Sequence, residues 1–155
     1  GVAEDFGMAY YKSQEAAGCT LPTSGKVLLT VSDRAKKDIA PLARDLADLG
    51  FTLVATEGTA DCLSREGIST EAALKLHEGR PNLADMIKNK QINLIINTPA
   101  GRDSKIDDSY IRMLAIRHKI PYMTTIAAAK ATVAAIRAAQ TKTSIPKSLQ
   151  EYHNA

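Results

Sequence analysis

The stretch Gly25–Ala60, GKVLLTVSDRAKKDIAPLARDLADLGFTLVATEGTA, decides the fold. An apolar run, Val27–Val31, ends in hydroxyls and a carboxylate at Thr30, Ser32 and Asp33. Ile39, Leu42, Ala43, Leu46 and Leu49 then recur at helical spacing, with Pro41 expected in the first turn and Gly50 as the stop. A second apolar run over residues 52–55 ends in Thr56, Glu57, Gly58 and Thr59. This is a strand, a crossover helix and a second strand, and both strands release polar groups at their carboxyl ends. Open α/β sheets bind ligands there.

Outward from that unit the alternation continues. Glu57 to Thr59 are expected at the strand end, with a short helix from about Ala60 to Arg65 and a short edge strand within Ile68–Leu76. Leu83, Met86 and Ile87 give a helical turn or two, and Ile92–Ile96 a buried strand ending in Asn97 and Thr98. A polar loop around Gly101 follows, and Asp107 or Asp108 is placed to cap a helix carrying Ile111, Leu114, Ala115 and His118. Residues 121–123 give a last strand ending in Thr124, followed by a helix from about Ile126 to Ala138. The pattern predicts a Rossmann-like α/β/α domain with a mainly parallel sheet of about five strands. Residues 1–25 read as a helix with Phe6, Ala9 and Tyr10 on its packing side, joined by a linker. Residues 26–140 form the domain, and 141–155 a polar tail.

The 155 residues fit one core. A content of 45% hydrophobic and 24% charged residues is that of an ordinary globular protein, and no apolar run is long enough to span a membrane. Net charge is only +3 and the basic residues are interspersed with acids. With five Tyr, two Phe and no Trp, nucleic-acid binding is not signalled. Cys19 and Cys62 have no metal or redox spacing and read as free thiols of a reducing cytosol. Residue 1 is Gly, and the opening reads as a piece of a longer chain.

At the strand ends Thr30, Ser32, Thr56, Thr59, Lys75, Asn97, Thr98 and Thr124 accumulate, with Lys36 opening the first crossover helix and Arg80 and Arg102 in neighbouring loops. Hydroxyls and helix N-termini donate to phosphate oxygens and lysines add point charge, so the set suits a phosphorylated small molecule. The simpler reading is that these hydroxyls only cap helices. No Walker loop, GxGxxG, HExxH or CxxC occurs. His118 suits a helix C-terminus, His153 lies in the tail, and His77 borders the site. An acid/base pair is hard to assemble from this sequence.

The stretch quoted above, together with KLHEGRPNLADMIKNKQINLIINTPAGR and IPYMTT, resembles the regulatory, methylglyoxal-synthase-like domain that ends the carbamoyl phosphate synthetase large subunit. The opening FGMAYYKSQEAAGCTLPTSG resembles the helix and linker that leave the second ATP-grasp half, so the likeness covers nearly the whole chain. It implies a non-catalytic domain binding UMP, or in some members IMP, with ornithine at a nearby site. It implies that Lys36, Thr56, Thr59 and Lys75 hold the nucleotide phosphate, that Thr30 lines the site, and that Asn97 and Thr98 face the nucleoside. Tyr122 and Thr124 would complete the ornithine site, whose carboxylates come from a neighbouring domain. No cofactor is implied in this domain. ATP with Mg or Mn and K belongs to the parent enzyme, a cytoplasmic ligase with a glutaminase small subunit, and self-association is possible.

Two positions depart from the family pattern. Pro99, which donates no hydrogen bond, stands where some nucleotide-binding members carry a hydroxyl. Met113 replaces the second Arg of an Ile-Arg-Arg pattern. Two other readings remain. Methylglyoxal synthase needs a carboxylate base in a Gly-rich loop near Glu78–Leu83, where this chain has Arg80. A plain interaction domain needs no ligand.

Overall fold

The computed structural model describes residues 1–98, 105–141 and 148–153. Pro99, Gly101 and Arg102, and with them the Pro99 departure, lie outside the described residues. Five strands form one sheet: β1 (Gly25–Thr30), β2 (Phe51–Thr56), β3 (Glu71–Ala73), β4 (Leu94–Asn97) and β5 (Tyr122–Met123). Their order is β3-β2-β1-β4-β5 and every pairing is parallel. Register is set by Leu28, which lies beside Val54 on one side and Ile95 on the other.

Strands β1, β2 and β4 are near-continuous apolar runs because both faces of a parallel sheet are covered. The two-residue repeat divides their side chains between two cores. Val27, Leu29, Leu53, Ala55, Leu94 and Ile96 point to the side of α2 (Lys36–Asp48), α3 (Glu57–Arg65) and α6 (Ile126–Thr141). Leu28, Val54 and Ile95 point to the side of α4 (Leu83–Lys88) and α5 (Lys105–Arg117). This is the three-layer parallel architecture that the sequence predicts.

Several local expectations are corrected. Helix α2 begins at Lys36, so Pro41 lies in its second turn rather than its first. One missing bond, to the Lys37 carbonyl, is tolerated that close to the helix start. Helix α3 begins at Glu57, which places Gly58 and Thr59 inside its first turn instead of in a strand-end loop. Edge strand β3 is confined to three residues of the Ile68–Leu76 segment. Asp107 and Asp108 occupy the first turn of α5, past its cap position. A short helix, α7 (Leu149–His153), stands in the stretch expected to be an unpatterned tail.

The opening helix α1 (Phe6–Ala16) packs against α6, with Tyr10 against the core as expected but with Gly7 and Met8, rather than Phe6, buried beside it. Phe6 is 65% exposed, while Gly7 and Met8 are buried. Gly7 explains the choice of face. A Cβ on it would stand 2.6 Å from the Ala134 carbonyl oxygen and 3.1 Å from the Ala138 methyl. The alanines of α6 and the bare Gly7 together allow this close crossing. Tyr152 in α7 adds a clasp, donating from its hydroxyl to the Val2 carbonyl at 3.0 Å and accepting from Lys12 Nζ at 3.1 Å.

Gly7→Leu is therefore expected to push α1 off α6 and destabilise the protein by about 1–3 kcal/mol, the usual cost of overpacking. Thermal denaturation checks it, and an unchanged midpoint would show that α1 is not held by this contact.

Candidate functional site

The chain reverses its direction of travel across the sheet at β1. From β1 it moves through α2 to β2 and then β3; it next crosses back to place β4 on the other side of β1. Crossovers leaving in opposite directions open a crevice at the carboxyl ends of β1 and β4. A backbone bond from Thr98 N to the Thr30 carbonyl, 3.0 Å, closes its floor. A cavity of about 400 Å³ opens above that bond.

The cavity gathers the residues that the sequence singles out from distant positions. Thr30, Lys36, Thr56 and Thr59 line it together with Lys75, Asn97 and Thr98. Two of the hydroxyls also shape the turn after β1. Thr59 Oγ1 accepts from Val31 N at 3.2 Å, and Thr98 Oγ1 accepts from Ser32 N at 2.9 Å. Neither Ser32 nor Thr56 caps its helix through its side chain, and the Thr59 and Thr98 hydroxyls pin the loop after β1 while lining the cavity.

Positive charge gathers around the first turn of α3. Thr56 stands at the N-cap position of α3 in extended conformation, and its side chain makes no capping bond. The first-turn N–H groups of α3 have no partners within the helix, and the helix dipole adds partial positive charge there. Lys36 Nζ lies over this turn, 3.4 Å from where a Cβ on Gly58 would stand. Lys75 approaches from the loop after β3. Both lysines carry carboxylate neighbours: Asp33 Oδ1 is 2.6 Å from Lys36 Nζ, and Glu78 Oε1 is 3.8 Å from Lys75 Nζ. The Lys36 hydrogen bond, reinforced by its charge, holds the Asp33 carboxyl below its ordinary range.

Elsewhere the lining is acidic and amide-bearing. Asn97 Nδ2 donates to Asp108 Oδ1 at 3.0 Å and to the Tyr122 hydroxyl at 2.7 Å. Burial is the largest influence on the Tyr122 phenol and pushes its pKa up, so the ring stays neutral. Tyr122 therefore stands behind Asn97, and neither Tyr122 nor Thr124 is among the residues lining the cavity. Asp107 and Asp108 do line it, with His77 Nδ1 3.4 Å from Asp107 Oδ2. The sequence reading missed both aspartates, having assigned them to helix capping. Their position opposite the Asn97-Thr98 strand end was the available signal. His77 and Asp107 are far apart in sequence, and the fold brings them into contact at the cavity.

Arg80 lies outside this cavity, along an adjoining groove with Lys88 and Tyr110, its Nε 3.7 Å from Asp85 Oδ2. Among the described residues no group of three or more His, Cys, Asp and Glu is placed to hold a metal. Cys19 and Cys62 are free, and burial pushes the Cys19 thiol up. No helix among the described residues is long and apolar enough to cross a membrane.

Comparison with known proteins fits this geometry. The MGS-like domain family matches residues 38–124. The carbamoyl phosphate synthase large chain of Nostoc sp. is 49% identical over 98% of this chain, which spans 14% of that relative. The C-terminal section of the Methanopyrus kandleri large chain is 47% identical over 99% of this chain and 28% of its own length. In structure, methylglyoxal synthase from Elizabethkingia anophelis superposes with a TM-score of 0.60 at 17% identity, covering 83% of this chain and 97% of that one. The superposition speaks for the fold alone. The family match spans more than half of the sequence, and the chain belongs to the MGS-like domain family.

Proposed function

We propose that this chain is the allosteric regulatory section of a carbamoyl phosphate synthase large chain, and that its cavity binds a nucleoside monophosphate, UMP or IMP. The observation that carries the reading is that Lys36, which lies over the first turn of α3, and Lys75 line one cavity with the Thr56 and Thr59 hydroxyls. The phosphate would accept from the α3 amides and the Thr56 and Thr59 hydroxyls, with the two ammonium groups balancing its charge. Asn97 and Thr98 would face the nucleoside. Ornithine would bind beyond Asn97, where Tyr122 and Thr124 contribute hydrogen bonds and the rest of the longer polypeptide supplies carboxylates. Catalysis would belong to the ATP-grasp halves and the glutaminase subunit, with ATP and metal ions there.

Regulation of that kind requires the effector to bind two states of the parent enzyme unequally. A coupling of about 1–3 kcal/mol, typical of allosteric proteins, alters affinity roughly 5- to 150-fold. The loops bearing Lys36 and Lys75 are the parts that a bound phosphate would tighten.

Lys75→Ala removes a charged partner of the phosphate and is expected to weaken UMP binding about 10- to 100-fold, from the roughly 1.5–3 kcal/mol of a hydrogen bond to a charged group. Lys130→Ala, on an exposed part of α6, should bind as wild type. Calorimetry decides, and equal affinity in the two variants would remove Lys75 from the site.

The fold and the cavity's aspartates give a lyase reading some footing. Proton abstraction from dihydroxyacetone phosphate needs a carboxylate beside the phosphate. Here, however, each cavity carboxylate already has a partner: Asp33 has Lys36, Asp107 has His77, and Asp108 has Asn97. The protein is expected to form no methylglyoxal above a boiled control. Turnover that Asp107→Asn abolishes would establish the lyase reading instead.

A further inference from the structure

The two cavity lysines share an arrangement that phosphate binding alone does not need. Each lies three residues from a carboxylate in its own loop. Lys36 pairs with Asp33 at 2.6 Å, in the 3-10 turn Asp33–Ala35 that precedes α2. Lys75 pairs with Glu78 at 3.8 Å, in the loop between β3 and α4. Glu78 is also tied to the backbone, its Oε2 accepting from Lys75 N at 2.8 Å. Asp33 is 94% exposed and projects at the rim.

We propose that Asp33 and Glu78 are internal counter-ions that compete with the effector's phosphate for Lys36 and Lys75, setting the affinity of the site and the charge of the anion it accepts. The inference rests on the nucleoside monophosphate reading of the cavity. A phosphate arriving at the first turn of α3 meets two ammonium groups already neutralised by carboxylates. It must displace those carboxylates or share the lysines with them, and it is repelled by both. A monoanion offers one charge against two fixed competitors. A phosphate monoester brings close to two, together with three acceptor oxygens for the α3 amides. The carboxylates therefore penalise weak anions more than phosphate monoesters. They also make occupancy felt in two separate loops, because each displaced carboxylate belongs to the loop whose lysine turns to the ligand. Asp33 and Glu78 are thus positioning residues, acting through the lysines.

Glu57, exposed in the first turn of α3, adds a further carboxylate near the phosphate end, whereas the ion pairs of Lys36 and Lys75 are made by Asp33 and Glu78. His77 faces Asp107, and Asp108 is held by Asn97 toward the nucleoside end. The effect of each carboxylate should be modest because solvent screens exposed pairs.

Calorimetry on the whole chain with UMP, IMP and uridine tests the inference. Asp33→Asn and Glu78→Gln should each bind the monophosphates about two- to fivefold tighter, the range that exposed ion pairs allow. The double variant should gain roughly the product, as two separate loops predict. Glu78→Gln keeps an acceptor for Lys75 N, and matching thermal midpoints confirm that its loop stays folded. Uridine affinity should not change, and Asp48→Asn, an equal charge change at the far end of α2, should leave all affinities at wild type. Unchanged or weaker monophosphate binding in Asp33→Asn, with wild type binding normally, overturns the counter-ion role and leaves the site reading intact. A gain that appears equally with uridine or in Asp48→Asn also overturns it. Failure of wild type and every variant to bind any monophosphate overturns the site reading, and this inference with it.

Discussion

Strand β1 lies at the centre of the sheet, and its carboxyl end is joined to that of β4 by the Thr98 N to Thr30 carbonyl bond, 3.0 Å. That junction constrains everything above it. Because the chain after β1 leads to α2 on one face of the sheet and the chain after β4 leads to α5 on the other, the two connections diverge, and the crevice between β1 and β4 cannot be filled by a crossover. Polar side chains at the ends of β1, β2 and β4 must then face one another across it. The hydroxyls of Thr59 and Thr98 hold the loop after β1 through its own amides, so floor and wall are one hydrogen-bonded unit.

Electrostatics set the cavity's character. The lining joins two kinds of group: the first turn of α3, Lys36 and Lys75 supply positive charge, and Asn97, Asp107 and Asp108 supply an amide and carboxylates. A nucleoside monophosphate offers a partner to each, with phosphate at one end and hydroxyl or N–H groups at the other. An all-cationic cavity would instead attract any anion in the cell. In the proposed reading, the pairing of each lysine with a local carboxylate would moderate this attraction.

Much of this was legible in the sequence. The apolar runs of β1 and β4, the helical spacing of α2 and the hydroxyls after each strand specify a parallel sheet and the edge at which its polar strand ends gather round a cavity. What was not legible depended on contacts between distant segments. Phe6 looked like the packing residue of α1, but the helix turns its Gly7 face inward because only a bare Cα fits against Ala134. Asp107 and Asp108 looked like caps, since their partners His77 and Asn97 are far away in sequence. The bond from Asn97 to the Tyr122 hydroxyl likewise joins two strand ends that are distant in sequence. Helix starts also slipped by a few residues, as boundaries do. The shift at α3 mattered, because it brought Gly58 and Thr59 into the first turn.

The central claim is that a phosphate monoester binds against the first turn of α3 between Lys36 and Lys75. Amide NMR of the protein titrated with UMP, with uridine as comparison, tests it most directly. The account predicts that UMP moves the Gly58 and Thr59 amide resonances most, with smaller shifts along Asn97 and Thr98, and that uridine leaves Gly58 and Thr59 nearly unmoved. Shifts centred instead on the opposite end of the sheet, around Lys90 and Lys119, with Gly58 and Thr59 unchanged, would contradict it.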